Sequence, residues 1–255
     1  MRRQLDEDMA ALALDTLQIM DAITDELHQA IDALVQADVD EAQAVRKRTR
    51  LIDERCAGIE QRVYELIAMQ APVASDLRFL QSLVYISFNL ERMSSHTRSI
   101  AKAVRRLGEH HIANSLLSLI NAEASLVFRV LGEMRQAFAN KDLQTAVALP
   151  ALDEPVDSLY KQFFREFGRS KEQEDDDLIT TRFVMTSRYL ERISDNAVEI
   201  GNRLVFMYTG KRLPLGKLTD LSPEELKSLY ATVASFDPAA SLSQHAEPLQ
   251  EEQEA

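Results

Sequence analysis

Over the first 209 positions apolar residues recur at spacings of three and four, as in helices that bury one face. Leu5, Met9, Leu12, Thr16, Ile19, Ile23 and Ala30 open one stripe, which Ile31 and Leu34 continue. A second runs through Leu83, Ile86, Leu90, Met93, Thr97, Ile100, Val104 and Leu107. The third, Ile179, Phe183, Thr186, Leu190, Ile193, Ala197, Ile200, Leu204 and Met207, holds a heptad-like seam for about four repeats. No comparable stretch alternates with period two, so the pattern predicts an all-α chain. Breaks fall at Asp38–Asp40, Pro72, Gly108–His111, Asn140–Asp142, Gly168 with Lys171–Asp177, and Gly210 with Pro214. Six long helices remain, and their short connections make sequential helices antiparallel neighbours.

Residues 86–100 and 186–200 align without a gap at an offset of 100, with six of fifteen positions identical, among them Leu-Glu-Arg at 90–92 and 190–192. A shared tripeptide in register is harder to obtain by chance than shared apolar spacing. The repeat predicts two tandem three-helix bundles, residues 1–109 and 110–212. An acidic tail, 213–255, follows with eight acidic and two basic residues. Its Ser222-Pro223-Glu224-Glu225 is a helix start, expected to run to about Tyr230. Beyond Asp237 apolar residues thin out and disorder is expected.

Composition narrows the function. The formal charge of −12 argues against a nucleic-acid partner reached through phosphate neutralisation. The one cysteine, Cys56, excludes an intrachain disulfide framework, and its helical setting reads as a buried structural thiol. No apolar run approaches the ~18 residues of a spanning helix, so no membrane insertion is expected and the chain reads as cytoplasmic. Only 7 Gly and 7 Pro are present, and no P-loop, dinucleotide turn or nucleophile elbow occurs.

The chemistry on offer is carboxylate. Glu191, Asp195 and Glu199 stand at i, i+4 and i+8, placed by their offset from the seam on an outward flank of the sixth helix. Asp153 and Asp157 stand on the helix before it. Stacked carboxylates suit hard or borderline cations. They also suit a solvated acidic face neutralised by Arg188, Arg192 and Arg203, and spacing alone does not separate the two. None of the five histidines lies within a turn of the stack, which disfavours a ferritin-like di-iron site.

The stretch Ala71-Pro72-Val73-Ala74-Ser75-Asp76-Leu77-Arg78, followed by Leu90-Glu91-Arg92, resembles the first half of the PhoU family. Leu190-Glu191-Arg192-Ile193-Ser194-Asp195, ending at Tyr208-Thr209-Gly210, resembles its second half. The resemblance spans about residues 5–212. It implies two three-helix bundles in a cytoplasmic regulator, able to sit peripherally on the inner face of the plasma membrane through its partners. It implies restraint of phosphate uptake and phosphate-starvation signalling by binding the ATP-binding subunit of the phosphate ABC transporter and a sensor histidine kinase, and a homodimer. It further implies a metal (iron, manganese, zinc or magnesium) held by paired Glu/Asp-x-x-x-Asp motifs. The second half keeps both motifs, Asp153-x-x-x-Asp157 and Glu191-x-x-x-Asp195, with Glu199 as a further ligand. Asn196 departs from a histidine, and Pro155 disfavours a regular helix through the turn before it. The first half reads Thr49-x-x-x-Asp53 and Glu91-x-x-x-Ser95, with Arg50 and Arg98 nearby. Metal is therefore expected in the second bundle only, and no enzymatic activity. The alternatives are a carboxylate-site metal enzyme or metal store, and a scaffold without metal.

Overall fold

The computed structural model describes residues 2–107, 114–170 and 177–212, with Ser222, Glu224, Glu225, Lys227, Ser228 and Ala231 from the tail. Its long helices are α1 (Arg2–Gln36), α2 (Val39–Gln70), α3 (Ala74–Leu107), α4 (Asn114–Asn140), α5 (Leu143–Ser170) and α6 (Asp177–Thr209). Among the described residues there is no strand. The boundary expected at 109 and the tail beyond 231 lie outside those residues. In the tail, Ser222 and Glu225 make the reciprocal capping bonds, 2.8 Å from the Ser222 amide and 3.3 Å to its hydroxyl.

Each apolar stripe becomes a core. Leu12, Thr16, Ile19 and Ile23 of α1 are buried against α2 and α3, while Phe183, Leu190, Ile193 and Ala197 of α6 are buried against α4 and α5. Asp38 caps α2 by accepting from the Glu41 amide at 2.9 Å. Three linkers turn on non-glycine residues with positive φ, Ala37, Ala71 and Lys141, at 55°, 44° and 54°. Each carries a left-handed penalty of roughly 1–2 kcal/mol, which packing of the helices they join must offset. Pro150 and Pro155 lie inside α5, which runs unbroken through both and through Gly168.

The bundles do not hang as separate beads. α3 packs along α6 as extensively as helices pack within a bundle, and α1 also touches α4. Arg78 Nε donates to the Met207 carbonyl at 2.9 Å, and Arg135 of α4 pairs with Asp21 of α1. α4 is long and apolar enough to cross a membrane by length and composition, which corrects the expectation that no segment approaches that limit. Its apolar content is partly a core stripe: Ile120, Val127, Val130, Leu131, Met134 and Phe138 are buried.

Candidate metal centre

The unbroken course of α5 decides the site. A proline lacks its own N–H, yet at 155 the surrounding helix holds, so Asp153 and Asp157 remain one turn apart on one face. That face meets α6 at Asp195. One carboxylate oxygen from each of Asp153, Asp157 and Asp195 lies within 4.8 Å of the others. Two oxygens bound to one cation can be at most twice the metal–oxygen distance apart, about 4–5 Å for Mg²⁺ to Ca²⁺. The three carboxylates therefore fit one hard, oxygen-liganded cation without rearrangement of the backbone. Asp195 is held above the usual carboxylate range, by burial first and with Asp157 adding to it, while Arg192 acts the other way. The Ser194 hydroxyl donates to Asp153 and fixes its orientation.

The other two carboxylates expected here go elsewhere. Glu191 is only 8% exposed, not turned out to solvent as its spacing suggested. Arg188 holds its Oε1 at 2.6 Å, and Arg192 Nε lies 3.5 Å from Oε2. Burial raises its pKa, with the Asp195 charge adding to the effect. Glu199 accepts from the Tyr85 hydroxyl at 3.0 Å, a contact from the first bundle. Arg203, expected among the neutralising cations, instead stacks on Tyr85 and Phe206 at 4.8 and 4.7 Å. Arg192 does pair with Asp195, at 3.1 Å. Lys161 reaches Asp157 only at 3.7 Å.

The triad opens into a cleft of about 470 Å³ between the two halves. Asp153, Asp157, Arg192 and Asp195 form one wall, and Tyr85, Phe88 and Arg92 of α3 form the other. Phe88 is 56% exposed, with the Arg92 guanidinium 5.8 Å above its ring. The Tyr85, Phe88 and Arg92 wall was missed from sequence, because helical period says which face of α3 is buried but not which helix of the other half it meets.

The matching place in the first bundle is filled. Thr49 is buried and spends its hydroxyl on the Val45 carbonyl at 3.0 Å. Asp53 is bonded by Ser94 at 2.8 Å and by Arg98 at 2.6 Å. Cys56 is buried, with burial pushing its thiol up to about 12.

Tandem antiparallel bundles locked along α3 and α6, with a carboxylate cluster at their seam, define a two-bundle helical protein. The PhoU domain matches the chain twice, over residues 16–104 and 120–204, and the chain belongs to the PhoU family. The phosphate-specific transport system accessory protein PhoU homolog of Clostridium acetobutylicum is 31% identical over 219 residues, 84% of this chain and 98% of that protein. PhoU homolog 1 of Mycobacterium tuberculosis is 32% identical over 186 residues, 72% of this chain and 83% of its own length. The crystal structure of the phosphate transport system regulatory protein PhoU from Streptococcus pneumoniae superposes with a TM-score of 0.77 at 28% identity. It is covered completely by 83% of this chain.

Proposed function

We propose that the protein regulates phosphate uptake by binding, without turnover of a substrate. One observation carries this: both halves match the family in tandem, over nearly the full length of a relative named as a phosphate-transport accessory protein. The finer reading is restraint, from the cytoplasm, of the phosphate ABC transporter through its ATP-binding subunit and of a sensor histidine kinase, by a homodimer. Asp153, Asp157 and Asp195 would hold a divalent or trivalent cation, with Glu191 and Glu199 free to join only by leaving Arg188 and Tyr85. The cation would supply fixed positive charge among three mutually repelling carboxylates and so stiffen the cleft wall. Deletion of the gene should raise phosphate-starvation gene expression in phosphate-rich medium, and unchanged expression would refute the regulatory reading. A pull-down from phosphate-replete cells should recover the transporter's ATP-binding subunit or the kinase.

A further inference from the structure

The first bundle leaves an apolar groove open between two of its helices. Tyr64 and Ile67 of α2 and Leu77, Val84 and Phe88 of α3 line a trough of about 630 Å³. Ile67 and Val84 pack against the core, while Tyr64, Phe88 and Leu77 stand 56%, 56% and 41% exposed. Met69 and Val73, also exposed, carry the apolar surface on to the turn between α2 and α3. A run of exposed apolar side chains on this scale marks a contact surface.

The charge along the groove is uneven. On α3 it runs from Leu77 to Glu91, and α6 ends at the Leu77 end, where Arg78 donates to the Met207 carbonyl at 2.9 Å. Arg203 and Arg212 both stack on Phe206 there, at 4.7 and 5.3 Å, and Arg203 reaches the Gln81 carbonyl at 3.4 Å. That end is cationic, whereas Glu60 and Glu91 line the groove farther along. The acidic tail therefore leaves the bundle at the cationic mouth of an apolar groove.

The tail carries a helix of matching pattern. Ser222 and Glu225 cap its start, and Glu224, Glu225, Lys227, Ser228 and Ala231 are helical and exposed. At 100° per residue those five share one side of the helix. Leu226, Leu229, Tyr230 and Val233, spaced i, i+3, i+4 and i+7, belong by the same period to the opposite side. A helix of this length is marginal in water until its apolar side is buried.

We propose that residues 222–236 lie in this groove as an amphipathic helix of the same chain, with Glu224 and Glu225 at its Leu77 end. The lengths agree: Leu77 to Glu91 spans roughly 21 Å at 1.5 Å per residue, and so does a helix from Ser222 to Phe236. The charges agree too. Glu224 and Glu225 meet the arginines, while residues 228–236, which carry no charge, run past Glu60 and Glu91. The connecting residues 213–221 reach at most about 30 Å, enough to turn the chain back from α6. Such a tether holds the helix near the groove at a roughly millimolar effective concentration, an advantage that a separate partner lacks. The tail lies beyond both family matches, so the cover is an addition of this chain to the shared fold. Any partner that docks in the groove must first displace it.

The test uses the full-length chain and follows amide hydrogen exchange over residues 227–236. Those amides should exchange about tenfold or more slowly in the parent than in Leu77→Asp or Leu229→Asp, and equally slowly at high and low protein concentration. Exchange at the unstructured rate in the parent would overturn the proposal, and so would protection that survives in either variant. Protection lost on dilution would assign the groove to the tail of a second copy and overturn the intrachain contact. Should Leu77→Asp disturb the bundle, Leu229→Asp, which alters only the tail, decides through the groove itself. Hydroxyl-radical labelling of Tyr64 should rise severalfold in Leu229→Asp, and labelling equal to the parent's would overturn the proposal.

Discussion

In the first bundle Asp53 is clasped by Arg98 and Ser94; in the second, Asp157, which holds the same motif position, lies beside Asp153 and Asp195, with Lys161 at 3.7 Å. The backbones around the two aspartates are alike: paired helices, an internal repeat, and a serine at 94 or 194 bonded to the neighbouring helix. Few side chains make the difference. Where the first bundle has Thr49, Ser95 and Arg98, the second has Asp153, Asp195 and Val198. An arginine at 98 supplies its own counter-charge and closes the place. A valine at 198 supplies none, so the arginine contact of this cluster comes from Arg192, 3.1 Å from Asp195. The same helical scaffold thus carries a self-neutralised surface in one half and an acidic cleft in the other.

The comparison breaks most decisively on metal content. Asp195→Ala should remove most metal from the triad, because it takes one of three ligands from a site that has no imidazole or thiolate. Glu91→Ala should leave the content nearly unchanged. Elemental analysis of the parent and both variants, after equilibration with iron, manganese or zinc, decides it. Equal losses would refute the asymmetry.

The next effect is on stability against pH in chelator-treated protein. Burial raises Glu123 from 4.5 to about 8, so between those values the folded state binds a proton that the unfolded state has released. Stability from this group is full below about pH 4.5 and falls as pH rises toward about 8, by at most roughly 1.4 kcal/mol per unit. Glu123→Gln should flatten that fall, as judged by urea unfolding at several pH values. An unchanged slope would show that another group governs it.

Two glycines sharpen the packing contrast. A Cβ on Gly201 would lie 2.5 Å from Leu149 Cδ1 and 2.9 Å from the Ala146 carbonyl oxygen, so α6 meets α5 with no room for a methyl group. Gly201→Ala should cost roughly 1–3 kcal/mol and lower the melting temperature by several degrees. Gly58 of α2 has nothing within 4 Å of the corresponding position. Gly58→Ala should stabilise by about 0.5–1 kcal/mol through helix propensity. Calorimetry of the two variants should show opposite signs.

The smallest effect is expected at the ion pair that closes the first bundle. Arg98 and Asp53 are 23% and 25% exposed, and Ser94 continues to bond Asp53 when the arginine is gone. Arg98→Ala should therefore cost no more than about 1 kcal/mol in denaturant unfolding. A much larger loss would mean that the pair organises the bundle rather than its surface.

Much of the fold was legible because burial repeats with helical period. The stripe through Phe183, Leu190 and Ile193 is buried as read. Helix ends were legible where the turn chemistry is explicit, as at Gly210, whose φ is +73°. Ala37 and Ala71 carry no such chemistry; they adopt left-handed backbone because the helices on either side are held by their cores. At the candidate site, spacing put Asp195 on a flank of α6 and Asp153 and Asp157 on the helix before it, but only the unbroken course of α5 through Pro155 set those two on one face. It misplaced Glu191, which is buried where α6 packs against its neighbours. Glu123 did leave a signal, a lone charge within the stripe of Ile120, Ala124 and Val127, and an apolar stripe seldom tolerates one without purpose.

By itself the sequence determined six helices, their pairing into two repeated units and the carboxylates of α5 and α6, because each depends on neighbours a few residues away or on a repeat in register. Only the tertiary structure decided that α3 lies along α6, that Tyr85 takes Glu199 from the acidic stack, and that Glu123 meets Ser187 inside the second bundle. Those outcomes depend on how far each helix is rotated and displaced against partners distant in the chain. Helical period constrains which face of a helix is buried, but not which side chain of another helix it will meet.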